Sequence, residues 1–139
     1  MMTADFALAA AAWLLAAHWL GDFVLQTHWQ ATNKSKRSDA LLRHVASYTA
    51  VLTAALILLC VVAFWMDYLL LKSSGEAVWI GLGLGVVNAS LHYATDYFTS
   101  RWTARLWQQA RTHAFFVAIG VDQMIHQTCL LGTIWLLAK

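Results

Sequence analysis

Histidine and aspartate recur four residues apart in three apolar segments of this sequence. The pairs are His18 and Asp22, His92 and Asp96, and Asp122 and His126. Residues with this spacing share one face of an α-helix, about 6 Å apart along its axis. Imidazole and carboxylate groups without a neighbouring thiolate suit a divalent metal ion, with Zn²⁺ or Mn²⁺ as the expected cofactor. Each pair could therefore supply two metal ligands from one helix.

A further histidine, His44, opens another apolar segment, with Tyr48 four residues later. A carboxylate in the middle of a membrane costs roughly 2.5–3.5 kcal/mol on insertion scales. No Lys or Arg lies in the three paired stretches to offset that cost. A divalent cation would turn the repulsion between the carboxylates into coordination. We predict a site for one or two ions with the three pairs as ligands, and with His44 or Asp22 as the catalytic base.

Two other interpretations of these polar stripes stay open from the residues alone. Buried ionisable residues in membrane segments also mark proton or ion relays. Alternatively, the stripes form a hydrogen-bonded core that only specifies how the helices pair. Gln26, Tyr48, Asn88 and Gln123 could orient metal ligands, or could join helices without any functional role.

Long apolar segments must position these side chains. The chain has 139 residues, of which 60% are hydrophobic and 12% charged, and it contains no proline. A helix of about 20 apolar residues crosses a hydrocarbon core roughly 30 Å thick, and the alternation typical of a membrane β-barrel is absent. We predict one all-α domain over residues 1–139, an integral membrane four-helix bundle. Its crossings are expected at about residues 6–29, 41–71, 77–100 and 113–138.

Positive charge is concentrated near two of the three connections. Seven of the nine Lys and Arg residues lie there: Lys34, Lys36, Arg37, Arg43, Arg101, Arg105 and Arg111. Loops rich in Lys and Arg stay on the cytoplasmic side, so we expect a multi-pass protein of the bacterial inner membrane with both termini outside. In that topology the polar stripes all fall in the inner half of the bilayer. The net charge of +2 is too small to indicate a nucleic-acid partner.

Two shorter motifs concern the membrane surface and the packing between helices. The segment SRWTARLWQQA, residues 100–110, has the pattern of a short amphipathic helix lying on the membrane surface between the third and fourth crossings. A continuation of the third helix fits the same residues. The segment GLGLG, residues 81–85, lies inside a crossing with no strand before it, which argues against a phosphate-binding loop. Its small residues instead predict a close approach between two helices.

Four phrases, HWLGDFVLQTHWQATNK, LLRHVASYT, LHYATDYF and VDQMIHQ, occur in this order along nearly the whole chain. Together they resemble the domain-of-unknown-function family 3307, which consists of short bacterial and phage membrane proteins. The positions that carry the pattern here are His18, Asp22, Gln26, His44, His92, Asp96, Asp122 and His126. The H-x-x-x-D pattern is also similar, more weakly, to that of proteins predicted to be membrane-bound metal-dependent hydrolases. That likeness implies hydrolase activity.

Three functional hypotheses follow from these features. The first is a metal-dependent hydrolase that acts at the inner leaflet on a lipid-linked or phosphorylated substrate, where a metal ion activates water and polarises a phosphoryl or acyl oxygen. Membrane lipid or a lipid-linked small molecule is the expected partner, and the chain could form a homo-oligomer. The second hypothesis is transport or relay of a metal ion or proton, although the polar residues occupy only one half of the bilayer. The third is a non-enzymatic membrane effector with a structural polar core.

Overall fold

The computed structural model describes residues 3–138, and every regular element in that range is a helix. Four helices are long and apolar enough to cross a membrane. They are α1 (Ala4–Trp19, continued by a π-helical turn at Leu20–Val24), α3 (Ser38–Trp65), α4 (Ser74–Gln108) and α5 (Thr112–Leu137), with a short α2 (His28–Asn33) between α1 and α3. The predicted all-α fold with four membrane crossings is confirmed.

The four long helices pack as a ring in which each contacts two others. Helix α3 lies against α1 and α4, and α5 completes the ring by contacting α4 and α1. Neighbouring helices run antiparallel, so the connections at 25–37 and 109–111 share one end of the bundle. We call this end the basic end, because most of the Lys and Arg residues lie in or beside these two connections.

The core is apolar away from the basic end. Ala10 and Leu14 of α1, Leu52 and Leu56 of α3, and Leu130 of α5 are almost fully buried in one cluster. Close packing of this kind holds membrane helices together through van der Waals contact, since lipid tails are as apolar as the side chains. The cluster joins α1 to α5 in that half of the bundle.

Small residues on α4 allow it to approach α3 closely. A Cβ atom at Gly81 would lie 2.7 Å from the Cα atom of Ile57, a distance that real Cβ atoms do not show. A Cβ atom at Gly85 would collide with the side chain of Thr53, whereas Gly83 faces open space. The prediction that this segment serves close helix packing is therefore confirmed for two of its three glycines. The same face of α4 continues into His92 and Asp96, which the close contact holds against α3.

The amphipathic segment at residues 100–110 does not form a separate helix. Its residues continue α4 as far as Gln108, so the prediction of a surface helix between the third and fourth crossings is wrong and the continuation is observed. The segment contains neither Gly nor Pro, and nothing else in it interrupts the backbone hydrogen bonds. Helix α4 ends in a tight turn where Ala110 has a φ angle of 54°.

Two other boundaries differ from the sequence-based expectation. The first crossing ends at Val24 instead of about residue 29, because Thr27 starts α2 with a capping box that its side chain forms with Gln30. Helix α3 ends at Trp65 instead of about residue 71. Asp67 follows in the left-handed region, with a φ angle of 58°, which turns the chain out of the helix.

Candidate metal centre

A wide helical turn at the end of α1 positions the first carboxylate. The Leu25 amide closes this turn by donating to the Leu20 carbonyl at 3.0 Å. Such π-helical turns are frequent at functional sites. Gly21 brings the turn against α3, where a Cβ atom would lie 3.3 Å from the Tyr48 Cα atom. Asp22, the next residue, is therefore buried at the centre of the bundle, with 4% exposure.

Asp22, His44, His92 and Asp96 face one another from three helices, and we call them the quartet. The Nε2 atom of His44 lies 3.1 Å from Asp22 Oδ1, 3.2 Å from Asp96 Oδ2 and 3.2 Å from His92 Nε2. The Nε2 atom of His92 lies 3.8 Å from the same two carboxylate oxygens. All four residues are buried, and one ligand atom from each lies within 4.8 Å of the others. The quartet could hold a metal ion.

Asp96 also belongs to a second group, which we call the triad, with Asp122 and His126 of α5. The Nδ1 atom of His126 donates to the backbone carbonyl of Asp122 at 2.9 Å, since a carbonyl can only accept. In the neutral imidazole, its Nε2 atom then carries a lone pair. That atom is buried, lies 3.8 Å from Asp96 Oδ1 and has no hydrogen-bond partner among the described residues. In the neutral ring this lone pair faces a carboxylate, an unfavourable contact that a cation between the two groups or protonation of the ring would relieve. Metal-bound histidines commonly make such a hydrogen bond with the other nitrogen.

A lysine from outside the crossings supplies positive charge to the quartet. The Nζ atom of Lys34 lies 2.8 Å from Asp96 Oδ2 and 3.4 Å from His44 Nε2. Lys34 is the C-terminal cap of α2, so this short helix sets where the ammonium group reaches. The paired stretches contain no Lys or Arg, and this cation comes instead from the connection between α1 and α3.

His18 lies beside the quartet instead of within it. Its Nε2 atom donates to Gln123 Oε1 at 3.1 Å, and its Nδ1 atom forms a hydrogen bond of 3.3 Å with the Tyr48 hydroxyl. Both ring nitrogens are therefore engaged, and Nε2 lies 3.8 Å from Asp22 Oδ2. That His18 is a metal ligand stays a prediction, and in this geometry binding would require the loss of one hydrogen bond. The Tyr48 ring also stacks on His92, with 3.7 Å between centroids.

Two glutamines connect and orient the acidic and imidazole groups. The Nε2 atom of Gln123 donates to Asp22 Oδ2 at 3.2 Å and to Asp122 Oδ2 at 2.9 Å, so one amide joins the quartet to the triad. The Nε2 atom of Gln26 lies 3.1 Å from His44 Nδ1. Hydrogen bonds of this kind fix the orientation of metal ligands.

Two threonines contact polar residues that the sequence had singled out. The Thr99 hydroxyl donates to Asp122 Oδ1 at 2.5 Å. Thr99 was missed, although its position three residues after Asp96 places it on the same helical face. Asn88 instead donates to Thr133 at 3.0 Å, away from the quartet and the triad, and this contact joins α4 to α5.

A cavity of about 780 Å³ leads from both ligand groups to the surface of the bundle. Charged and aromatic side chains share its lining, among them Asp22, Lys34, Lys36, Asp96, Asp122, Phe23, Trp107 and Phe116. Phe23 and Phe116 are 50% and 62% exposed although they lie in membrane-spanning helices. Phe23, at the end of α1, and Phe116, at the start of α5, therefore belong both to the lining of the cavity and to the outer surface of the bundle.

A comparison with protein-family models identifies the family of this chain. The family model described as protein of unknown function (DUF3307) matches residues 11–138. The chain belongs to this family. A search of the curated proteins and a search of the solved structures each found no significant match. The DUF3307 match includes the quartet, the triad and Lys34, but it assigns no activity to them.

Proposed function

We propose that this DUF3307 member is a metal-dependent phosphoesterase of the bacterial inner membrane that acts on a lipid-linked substrate at the cytoplasmic leaflet. The observation that carries the proposal is the position of Asp96 between the two ligand groups. Its Oδ2 atom faces the quartet, and its Oδ1 atom faces the unpartnered Nε2 atom of His126. One carboxylate thus offers one oxygen to each of two candidate ion sites.

Two ions bridged by Asp96 are the arrangement that this geometry favours. The quartet offers two imidazoles and two carboxylates, and the triad offers one imidazole and two carboxylates. Such donors suit Zn²⁺ or Mn²⁺, and helical bundles hold pairs of metal ions with carboxylate and imidazole ligands on facing helices. In sites of this kind the ions supply an activated water and stabilise the attacking and leaving oxygens of a displacement at phosphorus.

The protein side chains around the ions would bind and orient the substrate. Lys34 has a flexible stem and lines the cavity, so its ammonium group can leave Asp96 and bind a phosphoryl oxygen. The exposed rings of Phe23 and Phe116 lie where a hydrocarbon chain would pass from the bilayer into the cavity. An amphiphile with a phosphorylated head therefore fits the lining better than a wholly soluble molecule does.

The alternatives receive less support from the same residues. Transport needs a path through both halves of the bundle, and the apolar cluster of α1, α3 and α5 fills the half away from the basic end. A purely structural core leaves the buried Nε2 atom of His126 without a partner, at a cost that a helix pairing role does not explain.

Hydrolysis by the purified protein tests the proposal. The full-length chain in nanodiscs, loaded with Zn²⁺ or Mn²⁺, should release inorganic phosphate from a phosphomonoester lipid such as phosphatidic acid. Asp22→Asn should abolish release, because it removes a charged ligand while keeping the side-chain shape. Asp67→Asn is the matched control, since Asp67 is exposed in the 66–73 connection and should leave activity unchanged. If metal-loaded protein hydrolyses neither phosphomonoester nor phosphodiester lipids, the proposed hydrolase activity is wrong. Metal binding at the site would not be contradicted by that result.

A further inference from the structure

A second, smaller cavity lies beside the first at the basic end. Its volume is about 280 Å³, and its lining consists of Ser35, Lys36, Arg101, Ala104, Arg105 and Gln108. Four of these residues, Ser35, Lys36, Ala104 and Gln108, also line the larger cavity, so the two are contiguous. Arg101 and Arg105 belong to the smaller cavity alone.

Three cations converge on this cavity from two separate segments. Lys36 comes from the connection after α2, whereas Arg101 and Arg105 lie one turn apart near the end of α4. The lining includes no carboxylate, and none of the three forms an ion pair within residues 3–138. No carboxylate of residues 3–138 therefore offsets the repulsion between these three charges, and an anion in the cavity would offset it.

Arg101 is held in a fixed position beside this cavity. Its Nη1 atom donates to the Tyr97 carbonyl at 2.6 Å, and its guanidinium carbon lies 3.8 Å from the centre of the Tyr97 ring. A guanidinium group has five N–H donors, so most of them stay available for a ligand. A planar, fixed guanidinium is well suited to a phosphate group, which it can bind through two parallel hydrogen bonds.

The general excess of positive charge at this end explains only part of the arrangement. Retention of loops on one side of a membrane depends on how many Lys and Arg residues they carry, and any position in the loop would serve. Other cations here have different surroundings: Arg37 pairs with Asp39, and Arg43 lies over the Trp29 ring. The three cations Lys36, Arg101 and Arg105 differ from these because they line one cavity together with the polar, uncharged Ser35 and Gln108. A lining of this composition suits an anion.

We propose that Lys36, Arg101 and Arg105 form a binding site for a phosphate group next to the metal centre. Arg101 and Arg105 follow Asp96 by five and nine residues, so a bound phosphate lies about 8–14 Å from Asp96 along the α4 axis. The phosphate can belong to the headgroup of a phospholipid or to a soluble phosphate. The proposal needs neither hydrolysis nor a bound metal ion.

Binding to the full-length protein in the presence of a chelator tests the site apart from the metal centre. In one arm, nanodiscs of phosphatidylcholine with a small fraction of phosphatidylglycerol are dissolved, and native mass spectrometry counts the anionic lipids that stay bound. In the other arm, inorganic phosphate is titrated against protein in pure phosphatidylcholine nanodiscs, with the rise in Tm as readout. The variants are the double substitution Arg101→Gln with Arg105→Gln and, as control, Arg111→Gln. Arg111 is exposed at the same end and lines neither cavity.

The double variant should bind either phosphatidylglycerol or inorganic phosphate about tenfold more weakly than wild type does. Arg111→Gln should bind both ligands like wild type. A loss in the lipid arm identifies a headgroup, and a loss in the phosphate arm identifies a soluble phosphate. Arg101→Lys with Arg105→Lys keeps the charge and should retain part of the binding, which separates a binding defect from misfolding. Unchanged binding of the double variant in both arms, or an equal loss in Arg111→Gln, would overturn the proposal.

Discussion

The ammonium group of Lys34 and the carboxylate of Asp96 form an ion pair, with 2.8 Å between Nζ and Oδ2. The lysine side chain is 18% exposed and the aspartate side chain 2%, so the pair lies at the border between the cavity and the core. The same Oδ2 atom also lies 3.2 Å from His44 Nε2 and 3.8 Å from His92 Nε2, the two imidazoles of the quartet. A metal ion bound by the quartet would compete with the Lys34 ammonium for this oxygen.

Replacing Lys34 with Met should strengthen metal binding by the quartet, because the incoming ion no longer has to displace an ammonium group. We expect about a tenfold gain in affinity for Zn²⁺, in line with the value of a charged hydrogen bond. The metal-free variant should unfold at a lower temperature than wild type, since Asp96 loses its partner. Thermal unfolding with and without Zn²⁺ measures both effects, and the rise in Tm on adding metal should be larger in the variant. Lys36→Met is the control, and an equal rise in both variants would contradict the exchange of partners.

Substitution of Asp96 should remove more metal than substitution of any residue that serves one group only. Asn has nearly the shape of Asp but lacks its charge, so Asp96→Asn should lower the metal content of the purified protein from about two ions to less than one. His126→Ala affects the triad alone and should retain about one ion. Elemental analysis of protein purified from cells grown with added metal measures the metal content of wild type and of both variants. Equal metal contents in wild type and Asp96→Asn would favour a structural or relay role for the cluster.

Enlarging Gly81 should separate α3 from α4 and disrupt the site from a distance. Gly81→Leu forces a side chain against the backbone of Ile57, and overpacking of this kind costs about 1–3 kcal/mol or more. We expect a lower Tm and a loss of bound metal, because His92 and Asp96 lie farther along the same face of α4. Gly83→Leu is the matched control, since a Cβ atom there meets nothing within 4 Å. If both variants retain metal like wild type, the close helix contact does not position the ligands.

The basic end should face the cytoplasm. Seven of the nine Lys and Arg residues lie in or near the two connections at that end, and such loops are retained inside. A cysteine introduced at Gln109 should react with a membrane-impermeant maleimide only after the cells are opened, whereas one at Lys72 should react in intact cells. The unmodified chain provides the blank, because Cys60 and Cys129 both lie within membrane-spanning helices. Labelling of Gln109→Cys in intact cells would reverse the topology and move the proposed site to the outer leaflet.

The sequence predicts the helices and their polar faces well because both depend on local periodicity. Hydrophobic length identifies the four crossings, and the spacing of four places His92 with Asp96 and Asp122 with His126 on common faces. The same rule ranks His18 with Asp22 as a ligand pair. A π-helical turn begins between them, and His18 contacts Gln123 and Tyr48 while Asp22 enters the quartet. The spacing rule assumes a regular α-helix, and the residue types of LGDFV do not predict the wider turn.

The role of Lys34 could not be read from periodicity, because it depends on how a loop folds. Thr27 and Gln30 start α2, and this short helix turns the connection back over the end of the bundle. Lys34 then reaches Asp96, which is 62 residues away in the sequence. Long-range contacts of this type are set by tertiary packing, as is the central position of His44, for which the sequence predicted the role of a base. Its Nε2 atom lies beside the other candidate ligand atoms of the quartet, and its role as a base stays a prediction.

Phe23 and Phe116 line the cavity and are also exposed on the outer surface of the bundle, so a route between them from the bilayer into the cavity would have a kinetic consequence. A substrate that enters through it approaches by diffusion in the plane of the membrane, and water serves only to receive the soluble product. Its encounter rate is then set by its mole fraction among the surrounding lipids, so dilution of the substrate with inert lipid should slow turnover while dilution of the whole suspension with buffer should not. Membrane viscosity and acyl-chain order would govern the flux through such a site, and the lipid composition of the host membrane would act as a control on its rate.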